Sequence, residues 1–256
     1  MIAIIIFIAG LCWGSFCNVL AYRMLHGYEW VYKRSFCPSC KKTIAIYDLI
    51  PVISWGILRG RCRMCGHSIS WLYPFIEMLA GILAVSLWWY IPHHYGVAYV
   101  VFFTGLLVTI RTDLEAMLIF RAVTIGLLPI AYGASYLGYL PITLVESVIA
   151  SVGAFGFLWL IRFLFWHSRR VEGLGRGDLD LIALIGSFVG ILGVWGSLLV
   201  GSVIGFVGSL VYALVTRNGY SVKGIRDLKV PFAPFLAFGA IIYVFLPHFF
   251  RSLLLL

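Results

Sequence analysis

Two aspartates at the head of a long apolar run are the residues of this chain best suited to chemistry. The stretch EGLGRGDLDL, residues 172–181, places Asp178 and Asp180 directly after Gly173, Gly175 and Gly177. Glycines there let the backbone bend, take positive φ and approach another chain closely. A carboxylate at the mouth of an apolar span is costly to bury, so it carries a functional reading by default. The competing reading is a helix cap, because Asp ahead of an apolar helix accepts from free N–H groups. Asp113, in Arg111-Thr112-Asp113-Leu114-Glu115 at the end of another apolar run, is the second acid of interest. Two carboxyl groups brought face to face share one proton, so one serves as base and the other as acid. Hydrolysis of a peptide bond by an activated water needs that pairing: one carboxylate takes a proton from water while its partner polarises the carbonyl or protonates the leaving amine. Asp180 lies two residues beyond Asp178 and points about 200° away on a helix. It is assigned a supporting role, with Gly175 and Gly177.

A second constellation is made of thiols. Cys37-Pro-Ser-Cys40 and Cys62-Arg-Met-Cys65-Gly66 stand in one polar stretch, separated by 21 residues. Two turns presenting paired thiolates at that separation close a tetrahedral four-cysteine zinc site, and neighbouring lysines and arginines favour the thiolate form. Two disulfides or a redox pair are the alternatives. A loop this basic belongs in the cytoplasm, where disulfides do not persist, and a structural metal would supply folding energy to a segment too small to own a core.

These groups must be positioned by membrane helices. Of 256 residues, 62% are hydrophobic and 11% charged, which excludes an ordinary soluble domain and implies an all-α polytopic membrane protein. The first apolar run begins at Met1 without a basic leader and continues to about Tyr22 as a full span rather than a cleaved signal. It carries Gly14, Ser15 and Asn18; an Asn in a span reads either as an interhelical hydrogen bond or as a substrate contact. The polar loop 23–70 follows, and its broken apolar segment 46–65 suits the membrane interface or the underside of the zinc knuckles. A second span opens with Tyr73, Pro74 and Glu77, the last reading equally as a salt-bridge partner or a site residue. Further spans are expected over 97–110, 116–139 and 142–166. The uncharged run 181–215 is too long for one crossing and is expected as two spans turning near Trp195 and Gly196, its glycine pairs Gly186/Gly190 and Gly201/Gly205 serving helix packing. An eighth opens at PFAPFLAFG and ends near Phe250.

About eight spans result, with a small cytoplasmic zinc-knuckle domain inserted between the first two. If the zinc loop is cytoplasmic, every Lys and Arg except Arg251 falls on that side, which places both termini outside the cytoplasm. Asp113 and Asp178 then share the cytoplasmic face, while Glu146 lies at the other. The formal charge of +9 is thus a topological signal and not a nucleic-acid footprint; the surroundings are membrane lipids.

In order along the chain, Gly14-Ser15-Phe16-Cys17-Asn18-Val19, the paired CxxC knuckles, Asp48-Leu49-Ile50-Pro51 with Ser54-Trp55, Tyr73-Pro74-Phe75-Ile76-Glu77, Gly175-Arg176-Gly177-Asp178 and Pro231-Phe232-Ala233-Pro234-Phe235-Leu236-Ala237 resemble the motifs of the type IV prepilin peptidases, a family of GxGD aspartyl proteases. The resemblance covers nearly the whole chain. It implies a bacterial inner-membrane endopeptidase that removes the basic leader of type IV prepilins, or of the pseudopilins of type II secretion, at the cytoplasmic face, with Asp113 and Asp178 as the catalytic aspartates. Many members then methylate the new α-amino group with S-adenosylmethionine. The resemblance assigns that step to the N-terminal region, residues 1–92, with Glu77 as a candidate, and the peptidase to residues 93–256. The chain departs from the family where Ile119-Phe120-Arg121 replaces the usual Ile-Pro followed by Asp or Asn. The basic leader would be received by Asp180, Glu172 or Glu115. The rival readings are a non-enzymatic zinc-binding membrane adaptor and a membrane thiol oxidoreductase using the CxxC pairs.

Overall fold

The structure is a computed structural model and describes residues 1–27, 34–169, 175–216 and 231–254. Among these residues every regular element is a helix, and the β pairing is limited to two isolated bridges. The chain runs through α1 (Ile2–His26), a 3-10 turn (Ile46–Leu49), α2 (Ile53–Ile57), α3 (Leu72–Tyr90) and α4 (His93–Ala116). It continues through α5 (Arg121–Thr124), α6 (Leu128–Tyr136), α7 (Leu144–Arg169), α8 (Arg176–Thr216), α9 (Ala233–Phe245) and α10 (Pro247–Leu254). Five of these, α1, α3, α4, α7 and α8, are long and apolar enough to cross a membrane, and α9 with α10, bent by 98°, makes a sixth if counted as one span. The all-helical, multi-pass membrane architecture is the one the sequence implied.

Three of the expected apolar runs, four of the eight crossings, are built differently. The run 116–139 is not one helix: the chain leaves α4 through a positive φ at Met117 and an extended Phe120, then forms only the short α5 and α6. The bend is made without the proline that the family motif carries. The run 181–215 passes straight through Trp195 and Gly196 and breaks instead at Gly190, where φ is 73° and ψ is −174°. Glycine is required there, because a side chain would face both the positive φ and Oε1 of Glu146, 2.5 Å from where a Cβ would stand. Gly190 is therefore a break and not a packing glycine. Gly186 does pack, against the Ala150 carbonyl of α7, and Gly201 lies on the backbone of Phe235 and Leu236. The last span opens at the expected residues but turns at Pro247 instead of running on to Phe250.

The chain forms two compact units, Met1–Gly96 with Leu106–Thr112, and Val97–Gly105 with Asp113–Leu256. In the first, α1 and α3 meet through small residues. A Cβ on Gly10 or Gly14 would come within 2.7 Å of Ala84 or 2.6 Å of the Glu77 Cα, and one on Gly81 within 2.7 Å of Phe7. Close backbone approach of this kind drives helix association where lipid removes the hydrophobic difference. Gly27, at φ 66°, caps α1 by donating its N–H to the Arg23 carbonyl. In the second unit the first half of α8 is the core: Leu181, Ile182, Leu184, Ile185 and Phe188 are fully buried, with Phe188 stacked on Phe102 at 4.7 Å. That core fixes the turn of α8 from which Asp178 projects.

Candidate functional site

Asp178 sits in the first turn of α8. The helix begins at Arg176, so Gly175 is its cap residue and Asp178 its third helical position. From there the side chain reaches back, and Oδ2 accepts the N–H of Gly175 at 3.2 Å. This is the carboxylate half of a capping box. The cap read from the sequence exists, but from inside the helix and not from the residue before it. Gly177 has a different duty: a Cβ there would lie 2.6 Å from the Cβ of Ile119. The two motif glycines thus serve one helix turn, Gly175 by presenting its N–H and Gly177 by admitting the segment that follows Asp113.

Asp113, near the end of α4, belongs to the same unit as Asp178. Both are nearly enclosed, with 5% and 9% of their surface exposed, and the two carboxyl groups lie close enough to interact electrostatically. A third element reaches the pair. The backbone N–H of Ala233, at the start of α9, lies beside the Asp113 carboxyl. It is available because no side chain caps α9, and Pro234 spends one of the first positions without needing a partner. Oδ2 of Asp113 is buried and has no hydrogen-bond partner among the described residues. Buried carboxylate oxygens are normally satisfied, so such an atom marks a place for water or substrate.

Asp180 does not present a free carboxylate. It is 4% exposed, and its Oδ2 accepts from Nε of Arg121 at 3.0 Å. Of the other acids assigned to the leader, Glu115 is exposed, and Glu172 lies outside the described residues.

The four loop cysteines converge. Their sulfurs all lie within 4.8 Å of one another, with Cys37 and Cys65 at 3.8 Å. Zinc bound tetrahedrally to sulfur at about 2.3 Å requires sulfurs about 3.8 Å apart, so the donor set fits that ion. The two knuckles are built alike. The N–H of Cys37 meets the Lys42 carbonyl at 2.9 Å and that of Cys62 the His67 carbonyl at 2.8 Å; Lys41 and Gly66, one residue past each CxxC, both have positive φ. Each turn is closed by a bridge, Phe36 with Thr43 and Arg61 with Ser68. Backbone N–H groups of Cys65 and then Met64 bring the Cys62 thiol down to about 7. Arg63 grips Asp48 in a fork, at 2.7 to 3.1 Å, and its guanidinium holds the Asp48 carboxyl below the usual carboxylate range.

Glu77 and Asn18 come together in the first unit. Asn18 Nδ2 donates to the Tyr73 carbonyl at 3.0 Å and its Oδ1 accepts from Arg111 Nε at 3.1 Å, with the guanidinium of Arg111 4.9 Å from the Tyr73 ring. The interhelical reading of Asn18 is therefore realised. Glu77, 6% exposed, accepts the N–H of Val52 at 2.8 Å and lies beside the Ser15 hydroxyl. Val52 has φ 62° and ψ −51°, and the N–H of Ile53 bonds back to the Pro51 carbonyl at 2.6 Å. That is a γ-turn of the rare positive-φ kind, strained for any β-branched residue.

Ala233, Ile119 and Arg121 are members of the carboxylate site that the sequence reading assigned no role. Ile119 and Arg121 stand out in the sequence only as a departure from the family motif, and Ala233 only as part of a helix start rich in proline. The pairing of Arg121 with Asp180 spans 59 residues and leaves no local trace.

Residues 8–91 match the bacterial peptidase A24 N-terminal domain, and residues 100–213 the type IV leader peptidase family. The type 4 prepilin-like proteins leader peptide-processing enzyme of Escherichia coli O78:H11 is 31% identical over 95% of this chain and 93% of its own length. The prepilin leader peptidase/N-methyltransferases of Legionella pneumophila and Myxococcus xanthus are 33% and 32% identical over 83% and 91% of this chain, and 72% and 70% of their own lengths. No solved structure matches. Two domain matches in order and relatives aligned over most of both chains lead to one conclusion: the chain belongs to the type IV leader peptidase family.

Proposed function

We propose that this protein is an aspartic endopeptidase that cleaves the leader from type IV prepilins or pseudopilins and then methylates the new N-terminus. The observation that carries the peptidase reading is the bare Oδ2 of Asp113 beside Asp178. A water held there gives its proton to one carboxylate as its oxygen attacks the scissile carbonyl. The partner carboxyl, protonated, polarises that carbonyl and later protonates the leaving amine. Asp113 and Asp178 are the catalytic pair in this reading, and Gly175 and Gly177 hold the turn that carries Asp178.

The site faces the cytoplasm, in the inner membrane of a bacterium, with both termini outside. Support comes from the distribution of Lys and Arg along the sequence. Cys37, Cys40, Cys62 and Cys65 would hold a structural zinc, which would fix the loop between α1 and α3. S-adenosylmethionine would supply the methyl group. Glu77, a buried carboxylate in the A24 N-terminal region, is the chain's candidate for taking the proton that the new α-ammonium must lose before it accepts that methyl.

Incubating the purified protein in liposomes with a prepilin and S-adenosylmethionine, then reading product masses, tests both steps. A product shorter by the leader supports the peptidase, and a further methyl group supports the transferase. Intact prepilin under conditions that preserve the fold would remove the proposal.

A further inference from the structure

We infer that Arg121 is a positioning residue of the peptidase site: through Asp180 it straps the segment leaving Asp113 against the first turn of α8, and so sets how Asp113 and Asp178 face each other. The inference rests on the reading of those aspartates as the cleaving pair.

The geometry has two anchor points in register. Residues 118–120 carry no helix and Phe120 is extended, at φ −84° and ψ 116°, so Ile119 and Arg121 project to one side of the segment. Gly177 and Asp180, three apart on α8, share one helix face. Ile119 lies on Gly177 and Arg121 on Asp180. Between them, Leu179 is buried, and Asp178 reaches back to Gly175 and interacts with Asp113. One face of the turn thus receives the strap while Asp178 serves the carboxylate pair.

Asp180 is almost wholly buried, whereas the side chain of Arg121 is 73% exposed. An ion pair open to solvent on one side contributes little to global stability. Its leverage is local. Asp113 lies in the last turn of α4, which ends at Ala116, and five residues separate it from Ile119, so the path between acid and strap is short, and beyond Ala116 it turns through the positive φ of Met117 with no helix to stiffen residues 117–120. Without the Arg121 contact, the path keeps its apolar contact through Ile119 on Gly177 but loses its polar anchor on α8. Misplacement of a reacting group by about 1 Å is enough to slow a reaction about a hundredfold.

The test measures kcat and KM for cleavage of a purified prepilin by liposome-reconstituted Arg121→Asn, Arg121→Lys, Asp180→Asn and the Arg121→Asn/Asp180→Asn double variant, with thermal melting alongside. A strap lowers kcat in Arg121→Asn by about ten- to a hundredfold with KM within about twofold. Arg121→Lys recovers most of the loss, and the double variant is no slower than the slower single one, because both substitutions remove one contact. An unchanged kcat in Arg121→Asn overturns the inference. So does a raised KM with kcat intact, which makes Arg121 a substrate contact, or additive losses in the double variant. Loss of cooperative melting in both single variants also overturns it, since the pair is then a folding contact. Asp178→Asn is run in parallel: if it cleaves, the peptidase reading itself fails, a result distinct from an inactive Asp178→Asn beside a fully active Arg121→Asn.

Discussion

A methyl group on Gly177 would meet the Cβ of Ile119 at 2.6 Å and two more of its carbons at 3.0 and 3.1 Å. Gly175 meets only the carboxyl of Asp178, its Oδ2 at 3.0 Å, the far end of a side chain that can move. Gly177→Ala therefore costs about 1–3 kcal/mol, as overpacking does, and displaces the segment leading from Asp113. Gly175→Ala is expected to be the milder change in thermal melting. A melting midpoint for Gly177→Ala equal to or above that of Gly175→Ala would contradict the packing described for the motif.

Val52 invites the opposite experiment. Its positive φ costs about 1–3 kcal/mol in a β-branched residue, and glycine takes that conformation freely. Val52→Gly is expected to raise the melting midpoint of the detergent-solubilised protein, the lost strain outweighing about 1 kcal/mol of added chain entropy. A lowered midpoint would mean that the turn is not strained in solution.

Glu77 holds that turn from the other side. Glu77→Gln keeps an acceptor for the Val52 N–H, whereas Glu77→Ala leaves this half-buried donor unpaired at about 1 kcal/mol. Only the alanine variant should melt early. If Glu77 also takes the proton in methyl transfer, Glu77→Gln yields cleaved but unmethylated product, and a mass spectrum with full methylation would end that assignment.

The cluster of four cysteines is expected to bind one zinc per chain. Replacing Cys37, Cys40, Cys62 and Cys65 together by Ser should remove the metal and lower the melting midpoint, because the energy of binding a structural metal is folding energy. Metal-free wild-type protein that turns over thiols and disulfides would favour the oxidoreductase instead.

Much of the site was legible in the sequence because its parts are local. GLGRGD contains the cap residue, the packing glycine and the acid within six positions, and the CxxC pairs contain each knuckle. What could not be read is what depends on distant partners. Nothing near Asp180 announces Arg121, and nothing near Asp113 announces the Ala233 amide; each contact is made by tertiary packing. The spans failed in a related way. Hydropathy measures how apolar a run is and not whether its helix is continuous, so the positive φ of Met117 and the break at Gly190 were invisible. Gly190 in particular looked like one of four spaced packing glycines, and only its neighbour Glu146, 44 positions away in sequence, distinguishes it.

The central claim, that Asp113 and Asp178 cleave, is tested most directly by one substitution. Asp178→Asn keeps an oxygen to accept the Gly175 N–H but removes the acid, so the helix start survives while proton transfer does not. Reconstituted in liposomes with a purified prepilin, this variant should melt close to the wild type and leave the prepilin at its full mass. A product shortened by the leader at the wild-type rate would contradict the claim.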